Sequence, residues 1–560
     1  MVRSSFFEYS VATSALFSSR AKIQVNSHNI ANADTKGYSR QYGVQEANRP
    51  MAGTGSRGMF GTGSSVTSVM QFRNFYVDVK YWQNSSVLGE YNTKNTQLTN
   101  MEAALTELND TGIIADQNDF FNTLSNLSLE VGSLTDRNNV TKSIKALLEN
   151  VSSMGNKLMK QQNDANEEVK SMVESINSLG SQVASLNKQI HLYEINGAHA
   201  NDLRDKRALI VDQLSGLVNT EVIEDEETGG YSLLIDGNGF VSGQDVNKLY
   251  LEDRKYKLNE MDNIGLYDIA FATGVNFDIY SPSLEGELKG LIDLRDGNNG
   301  NNTMFYNEQT KTYEKHKTGN VPNGINPDYD NNYNPVTKTG DKMATTTRYK
   351  GLPHYMNRLN EYIQTLACSF NDGTDINGNK LDGVIGHTDA YDLNGVTDRV
   401  LFTYNKKGTV HTTDQNLTYN DWSLNYTEMT FLNVEINPDI ENSPEAFAAA
   451  DKAGEKDNSV AVAGFMKIKD IETLFDEGKL EDYVLSIGSD LGISVAQSEN
   501  FIVTYSALDL SLQNERLSIS GVSLDEEAVE LSQNQLVFQA ASQLIQTINT
   551  VYDSLLTIVG

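Results

Sequence analysis

The sequence predicts an α+β protein: a long coaxial helical bundle formed by N- and C-terminal segments, with inserted β-rich outer domains. Three observations predict it. An apolar heptad seam runs from Ile144 to Tyr193, the two ends of the chain carry matching apolar helical faces, and from about residue 218 the apolar period drops to two.

The amino-terminal face comprises Phe6, Phe7, Val11, Ala15, Leu16, Ile23 and Ile30, and it ends at NIANADTKGYSRQ (29–41). The seam follows. Ile144, Leu148, Val151, Leu158, Ala165, Val169, Met172, Ile176, Leu179, Val183, Leu186, Ile190 and Tyr193 advance in steps of four and three, with Gly155 and Gln162 in the two gaps. Such spacing puts a narrow stripe on a helix of about fifty residues, which needs a partner helix of similar length to bury it. Asn196 and Gly197 suit a helix stop, and Asp202 suits the cap of a second helix carrying Leu203, Leu209, Ile210, Leu214 and Leu217 back alongside the first.

EVIEDEETGGYSLLIDGNGF then reads as strands broken at Gly229-Gly230 and at an Asp236-Gly237 turn. Helical pattern returns at SLEGELKGLIDLRD (283–296) and again at 352–371. Between them lies an Asn/Thr-rich surface insertion, residues 297–350, holding Pro322, Pro327 and Pro335. Residues 372–440 turn back to strands and Asp/Asn/Gly turns. At the carboxyl end, Ser523 and Glu526 have capping-box spacing before a helix of about 35 residues. Leu524, Ala528, Leu531, Phe538, Ala541, Ile545, Ile548, Tyr552 and Leu555 line one face of that helix, and Leu536, Val537, Ala540, Leu544, Val551 and Leu556 widen it. So apolar a helix is uncomfortable in water and calls for other chains to cover it.

The expected organisation is therefore 1–40 plus 520–560 as a terminal coiled-coil assembly domain, and 41–217 plus 283–296, 351–371 and 441–519 as a helical rod. Residues 218–282 and 372–440 are β-rich insertions, carried outward from the axis as in a subunit of a tubular polymer.

Composition excludes several function classes. Asp and Glu number 75 against 44 Lys and Arg, a formal charge of -31 that repels nucleic-acid phosphates and anionic lipid alike. The single cysteine, Cys368, lies in an apolar helical pattern and permits neither an intrachain disulfide nor a thiolate metal cage. The first 25 residues lack the apolar core of a cleavable secretory signal, and no later stretch reaches the ~18 apolar residues of a membrane helix. Composition alone reads as soluble and cytoplasmic.

Motifs of chemistry are weak. Gly53, Gly55 and Gly58 spell GxGxxG, but no helical run follows, so a flexible loop is expected. The Asp-rich turns fail the twelve-residue calcium pattern: Gly378 in its sixth position puts Gly373 first and Val384 last, and the DLNG turn puts Ala390 first. His28, His191, His199, His316, His354, His387 and His411 are scattered, with no HExxH pair, nucleophile elbow, phosphate loop or zinc spacing. Neither a catalytic site nor a metal or cofactor is expected.

NIANADTKGYSRQ closely resembles the amino-terminal signature of the flagellar rod, hook and hook-associated protein family, although Asp34-Thr35-Lys36 stands where that family usually has Asn-Thr-Pro. GTGSSVTSVMQFR (61–73), NDLRDKRALIVDQLSGLVN (201–219), LEGELKGLIDLRD (284–296), FNDGTDINGN (370–379), INPDI (436–440) and SGVSLDEE (520–527) are similar, in order, to the hook–filament junction members of that family. The resemblance implies an extracellular structural protein, exported uncleaved through the flagellar channel, which replaces the cytoplasmic reading. It implies as partners further copies of itself in a ring, the hook protein, a second junction protein on the filament side, the export apparatus, and an export chaperone at the C-terminal helix. No nucleic acid and no membrane insertion are expected. A hook or distal rod subunit is the alternative within the family, and a filament-displayed enzyme in the β-rich insertions the alternative outside it. The expected assembly interface is Leu16, Ile23, Asn29, Ile30, Asn32, Gly37, Tyr38 and Arg40 at the amino end, with Leu524, Glu526, Leu531, Phe538, Leu544, Ile545, Ile548, Tyr552 and Leu555 at the carboxyl end.

Overall fold

The computed structural model describes residues 6–52, 59–105, 112–195, 197–225, 229–254, 257–275, 277–301, 304–307, 312–315, 341–343, 348–405 and 425–559. The helices are α1 (Phe6–Ala31), α2 (Phe75–Leu105), α3 (Ile113–Leu129), α4 (Leu134–Glu194), α5 (Asn201–Leu217), α6 (Glu287–Asp296), α7 (Leu352–Asn371), α8 (Pro438–Asn442), α9 (Val460–Lys467), α10 (Leu480–Ser520) and α11 (Leu524–Val559). The strands are β1 (Gln41–Ala47), β2 (Met51–Ala52), β3 (Met59–Phe60), β4 (Ser64–Gln71), β5 (Thr220–Glu224), β6 (Tyr231–Ile235), β7 (Asn238–Ser242), β8 (Asp245–Val246), β9 (Leu249–Asp253), β10 (Tyr267–Phe271), β11 (Met304–Asn307), β12 (Thr312–Lys315), β13 (Asp341–Met343), β14 (Phe402–Tyr404) and β15 (Val434–Ile436).

The α+β expectation holds: the two chain ends pair as helices, and small antiparallel sheets are inserted between helices of the rod. α1 and α11 run antiparallel, with Asn26 near the end of α1 meeting Glu527 and Asn534 near the start of α11. On α11 the covered positions are Glu527, Leu531, Asn534, Phe538, Ala541, Ile545, Ile548 and Tyr552, alternating in steps of four and three. That is a coiled-coil seam. The other side of α1 rests on the β1–β4 hairpin, where Ser18 Oγ donates to the Ser64 carbonyl at 2.8 Å.

α4 is longer than expected, 61 residues and about 90 Å at 1.5 Å per residue. No single helix of similar length covers its stripe. A relay does so instead: α3, α7, α6, α5 and the strands of 218–282 each pack on a successive stretch. The buried register also shifts. Ile144 to Val169 are buried as the heptad predicts, and beyond them Ile176, Val183 and Ile190 stay buried, but the alternate row moves by one residue: Val173, Gly180 and Asn187 are buried, while Met172, Leu179 and Leu186 lie at the edge and Tyr193 is 66% exposed. A straight helix at 3.6 residues per turn drifts about 20° per heptad, and without one long partner nothing forces the supercoil that would cancel it. Gly155 occupies its gap because a Cβ there would sit 2.1 Å from the Phe431 ring. Gln162 fills the other gap with polar contacts, donating to Asp262 Oδ1 and to the Arg295 carbonyl.

Two apolar cores flank α4. One joins Phe120, Ile144, Leu366, Phe370, Phe431, Phe465 and Tyr483. The other joins Ile176, Val183, Val211, Leu214, Leu233, Phe240, Phe271 and Leu291. In the second core the antiparallel sheet β5-β6-β7-β8 packs on the helices, with Asp236 and Gly237 at φ 47° and 72° making the expected tight turn. Residues 372–440, expected to be β-rich, contain among the described residues only the paired β14 and β15 as named strands. Asx turns account for much of the rest: Asp375 Oδ1 accepts from the Asn377 and Asn379 N–H groups, and Asp392 Oδ1 from those of Asn394 and Val396. The 297–350 segment leaves between α6 and α7 through a narrow neck, where Gly351 N–H donates to the Gly297 carbonyl at 3.1 Å and Asn299 N–H to that of Tyr349 at 2.8 Å. Most of that segment lies outside the described residues, as do Gly53, Gly55, Gly58, Asn196, His316, His411 and the side chain of Leu555.

Two buried polar groups fix the rod. Asp296 bonds Arg295 at 2.7 Å, Arg254 at 3.2 Å and the Tyr280 hydroxyl at 3.1 Å. Burial would raise its carboxyl, but the two guanidinium groups hold it well below the usual carboxylate range. His387 donates from Nδ1 to the Arg399 carbonyl at 2.7 Å and accepts the Ala448 N–H on Nε2 at 2.8 Å, so the ring is held neutral. Burial, the largest cause, pushes its pKa down to about 4. The unfolded chain takes up that proton near pH 6.5, so stability is full above that pH and declines as pH falls toward 4. Calorimetry of the purified chain is expected to show about 3 kcal/mol lost across this window, and His387→Gln to flatten the decline.

Candidate assembly site

The signature loop between α1 and β1 closes on itself through Asn29. This buried side chain donates from Nδ2 to the Gln41 carbonyl at 2.9 Å, while its Oδ1 accepts from Gln41 N–H at 2.9 Å and from the Tyr38 hydroxyl at 2.8 Å. The amide thus does what a paired strand residue would do, and sets where α1 ends and β1 begins. Gly37 turns the loop at φ 80°, with Leu209 of α5 3.4 Å from where a Cβ would stand. Gly37→Ala is expected to cost roughly 1–2 kcal/mol from its left-handed backbone, read as a lower unfolding midpoint in urea.

The loop is then bolted to α5. Ser39 donates N–H and Oγ–H to the two Asp205 oxygens at 2.9 and 2.7 Å, and Gln41 Nε2 donates to Asp202 at 2.7 Å. His28 Nε2 lies 3.2 Å from the same Asp202 oxygen. Asp202 is therefore not the helix cap: α5 is preceded by Ala200, and the Asp202 carboxylate reaches across to the loop. Burial pushes the Asp205 carboxyl upward, and the Ser39 bonds and Arg73 oppose that.

A chain of ions continues into α2 and α10. Arg73 joins Asp205 to Asp78 at 3.3 and 2.7 Å, and Arg516 of α10 joins Asp78 at 2.8 Å to Asp212 of α5 at 3.0 Å. Trp82 Nε1 donates to the same Asp212 at 2.6 Å. Arg73, Asp78, Asp212 and Arg516 line a cavity of about 290 Å³ together with Lys36, Gly37, Tyr38 and Leu209, and those four charges are paired with one another.

Arg40 is the link to the carboxyl end. Its N–H donates to the Ser520 carbonyl at 2.8 Å, Nε to Glu527 at 2.7 Å, Nη1 to Glu526 at 2.9 Å and Nη2 to Glu530 at 3.4 Å. Glu527 is fully buried, and Asn26 Nδ2 donates to its other oxygen at 2.7 Å. The Ser523 hydroxyl does accept the Glu526 N–H, at 3.5 Å, but the Glu526 carboxylate turns to Arg40, because a guanidinium offers it a charged partner. Carboxylates at 526 and 527, in the first turn, also complement the positive end of the α11 dipole.

Of the residues singled out from sequence, Asn29, Tyr38, Arg40 and Glu526 meet in this joint, and Gly37 shapes it. Asn32 bonds back to the His28 carbonyl and finishes α1. Leu16, Ile23 and Ile30 are half-buried on α1, and Leu531, Phe538, Ile545, Ile548 and Tyr552 lie in the α11 seam. Leu524 and Leu544 point outward: Leu544 is one residue, or 100°, away from the covered Ile545. Asn26, Glu527, Glu530, Asp205, Arg73, Asp78, Asp212 and Arg516 were not singled out. The closely spaced acids after Ser523, opposite an arginine in the loop, were the signal for two of them, Glu527 and Glu530. Among the described residues, no group of three His, Cys, Asp or Glu stands close enough to hold a metal ion, and no helix is long and apolar enough to cross a membrane.

Comparison with known proteins places these features. The profile described as "Flagellar hook-associated protein FlgK helical domain" matches residues 98–388, and that described as "Flagellar basal body rod FlgEFG protein C-terminal" matches 513–558. Flagellar hook-associated protein 1 of Bacillus subtilis (strain 168) is 29% identical over 304 residues, 52% of this chain and 60% of that protein. Flagellar hook-associated protein 1 of Escherichia coli (strain K12) is 24% identical over 567 residues, 98% of each. The solved structure of the flagellar hook junction protein FlgK from Burkholderia pseudomallei shares the fold, with a TM-score of 0.56 at 11% identity, covering 79% of this chain and all of that one.

Proposed function

The chain belongs to the flagellar hook-associated protein FlgK family, and from that premise we propose that it assembles on the hook tip as a ring of its own copies and gives the filament a surface to start from. It is a structural, hook-associated component of the flagellum. The observation that carries the ring reading is the terminal pair: α1 and α11 are clamped by Arg40, while Leu536, Leu544, Val551 and Leu556 remain on an uncovered outer face of α11. A monomer leaves such a face in water only when something else is to cover it. On one side stands the hook protein and on the other a second junction protein. During export a chaperone covers the α11 face, and the chain leaves uncleaved through the flagellar export apparatus to an extracellular site. No catalysis belongs to this role. The proposed organisation is the terminal pair as assembly domain and the rod as spacer, with 218–282, 297–350 and 372–440 facing outward.

The hook or rod alternative draws on the basal-body match at 513–558, but that stretch is confined to the end of α10 and α11 and leaves the rod unaddressed. Gold-labelled antibody against this chain decides between them. A single band at the distal end of the hook is expected; label along the whole hook, or below it, would overturn the junction reading.

A further inference from the structure

α10 buries one face against α2 and leaves a second, regular face bare. Ile493, Val503, Leu510 and Leu517 are 64%, 70%, 61% and 64% exposed, and the spacing among the last three is seven residues. With Asn500 and Asn514 between them, both exposed, they form a heptad stripe over 25 residues, about 36 Å of helix. Its opposite edge is the one that stacks Tyr91 of α2 between α10 aromatics, with Phe501 at 4.4 Å. The bare stripe is therefore not surplus core.

We propose that this stripe is the surface on which a second copy of the chain docks beside the first; the inference rests on the ring reading above and names the face it uses. Charge selects the occupant. The chain carries -31, so two copies repel wherever their acidic surfaces meet. Along the flanks of this stripe the residues are Gln497, Thr504, Ser511, Ser518, Ser506 and Gln513, with Glu499 the one charge among the flanking positions from 497 to 518. A basic partner would gain nothing from so neutral a face, whereas an equally acidic copy can approach there without repulsion. The stripe supplies one seam of such a contact and not all of it, since a standard interface takes roughly 20–30 residues and ~800 Å² per partner. The two asparagines, at heptad positions that would face the neighbour, set which register is accepted.

The test places the photoreactive residue p-benzoylphenylalanine at position 510, and in a control at Lys170 on the exposed side of α4, in cells bearing assembled flagella. Irradiation is expected to give a product of twice the chain mass from position 510 and none from 170. A product with a protein of another mass, or no product from 510 while filaments are normal, overturns the proposal and leaves the junction role standing. Leu510→Asp supplies a second measurement: its side chain is exposed, so the unfolding midpoint is expected to stay within about 2 °C, while filament number falls at least tenfold. Normal filament number in that variant overturns the proposal as well.

Discussion

Cells carrying Phe538→Asp are expected to show hooks without filaments and to release flagellin into the medium. Phe538 lies in the α11 seam between Asn534 and Ala541, on the face that packs along α1. An aspartate there puts an unpaired carboxylate against the half-buried Leu16 and Ile23 side of α1, in a seam whose existing acid, Glu527, is matched by Arg40 and Asn26. An uncompensated charge in such a place costs several kcal/mol in each subunit, and the cost recurs around a ring. Phe538→Leu keeps the apolar contact and is expected to build filaments. Secretion must be measured alongside, because a variant retained in the cell reports on export and not on the seam. Filaments of normal number on Phe538→Asp cells would remove the paired termini from the mechanism.

The second large effect belongs to the rod. Asp296→Ala removes the carboxylate that Arg295 bonds through both Nε and Nη2 and that Arg254 shares, leaving two fully buried guanidinium groups with less than their complement of charge. Breaking a buried pair on one side typically costs about 3–5 kcal/mol. Against a total of roughly 5–15 kcal/mol for a folded domain, that is enough to unfold a large share of molecules on warming. Urea denaturation of the purified chain is the measurement, and Asp296→Asn, which keeps the shape and loses the charge, is expected to fall between the two. A loss below about 1 kcal/mol for the alanine variant would show that Asp268 and Asn166 already satisfy the arginines.

How much of this was readable beforehand varies with the physics involved. Periodicity reports burial directly, so the pairing of apolar ends, the hairpin of α4 and α5, and the turn at Asp236-Gly237 follow from spacing alone. The shift of the α4 stripe after Val169 does not, because it depends on the absence of one long partner helix, a fact of tertiary arrangement. In residues 372–440 the Asp/Asn/Gly turns were legible and the extent of strand was not: Asp375 and Asp392 spend their carboxylates on backbone N–H groups, so turns take up chain that was expected to pair as strands. The joint was half legible. Asn29, Tyr38 and Arg40 stand in a recognisable signature, but Asp202 and Asp205 have the same composition as an ordinary helix start. Only the chain's return over more than 160 residues puts them against Ser39 and Gln41.

Electron microscopy of cells lacking this gene, with flagellin assayed in the culture medium, tests the junction role most directly. Bare hooks surrounded by soluble flagellin are the expected result. Missing hooks would identify a hook or rod subunit instead, and intact filaments would contradict the junction role altogether.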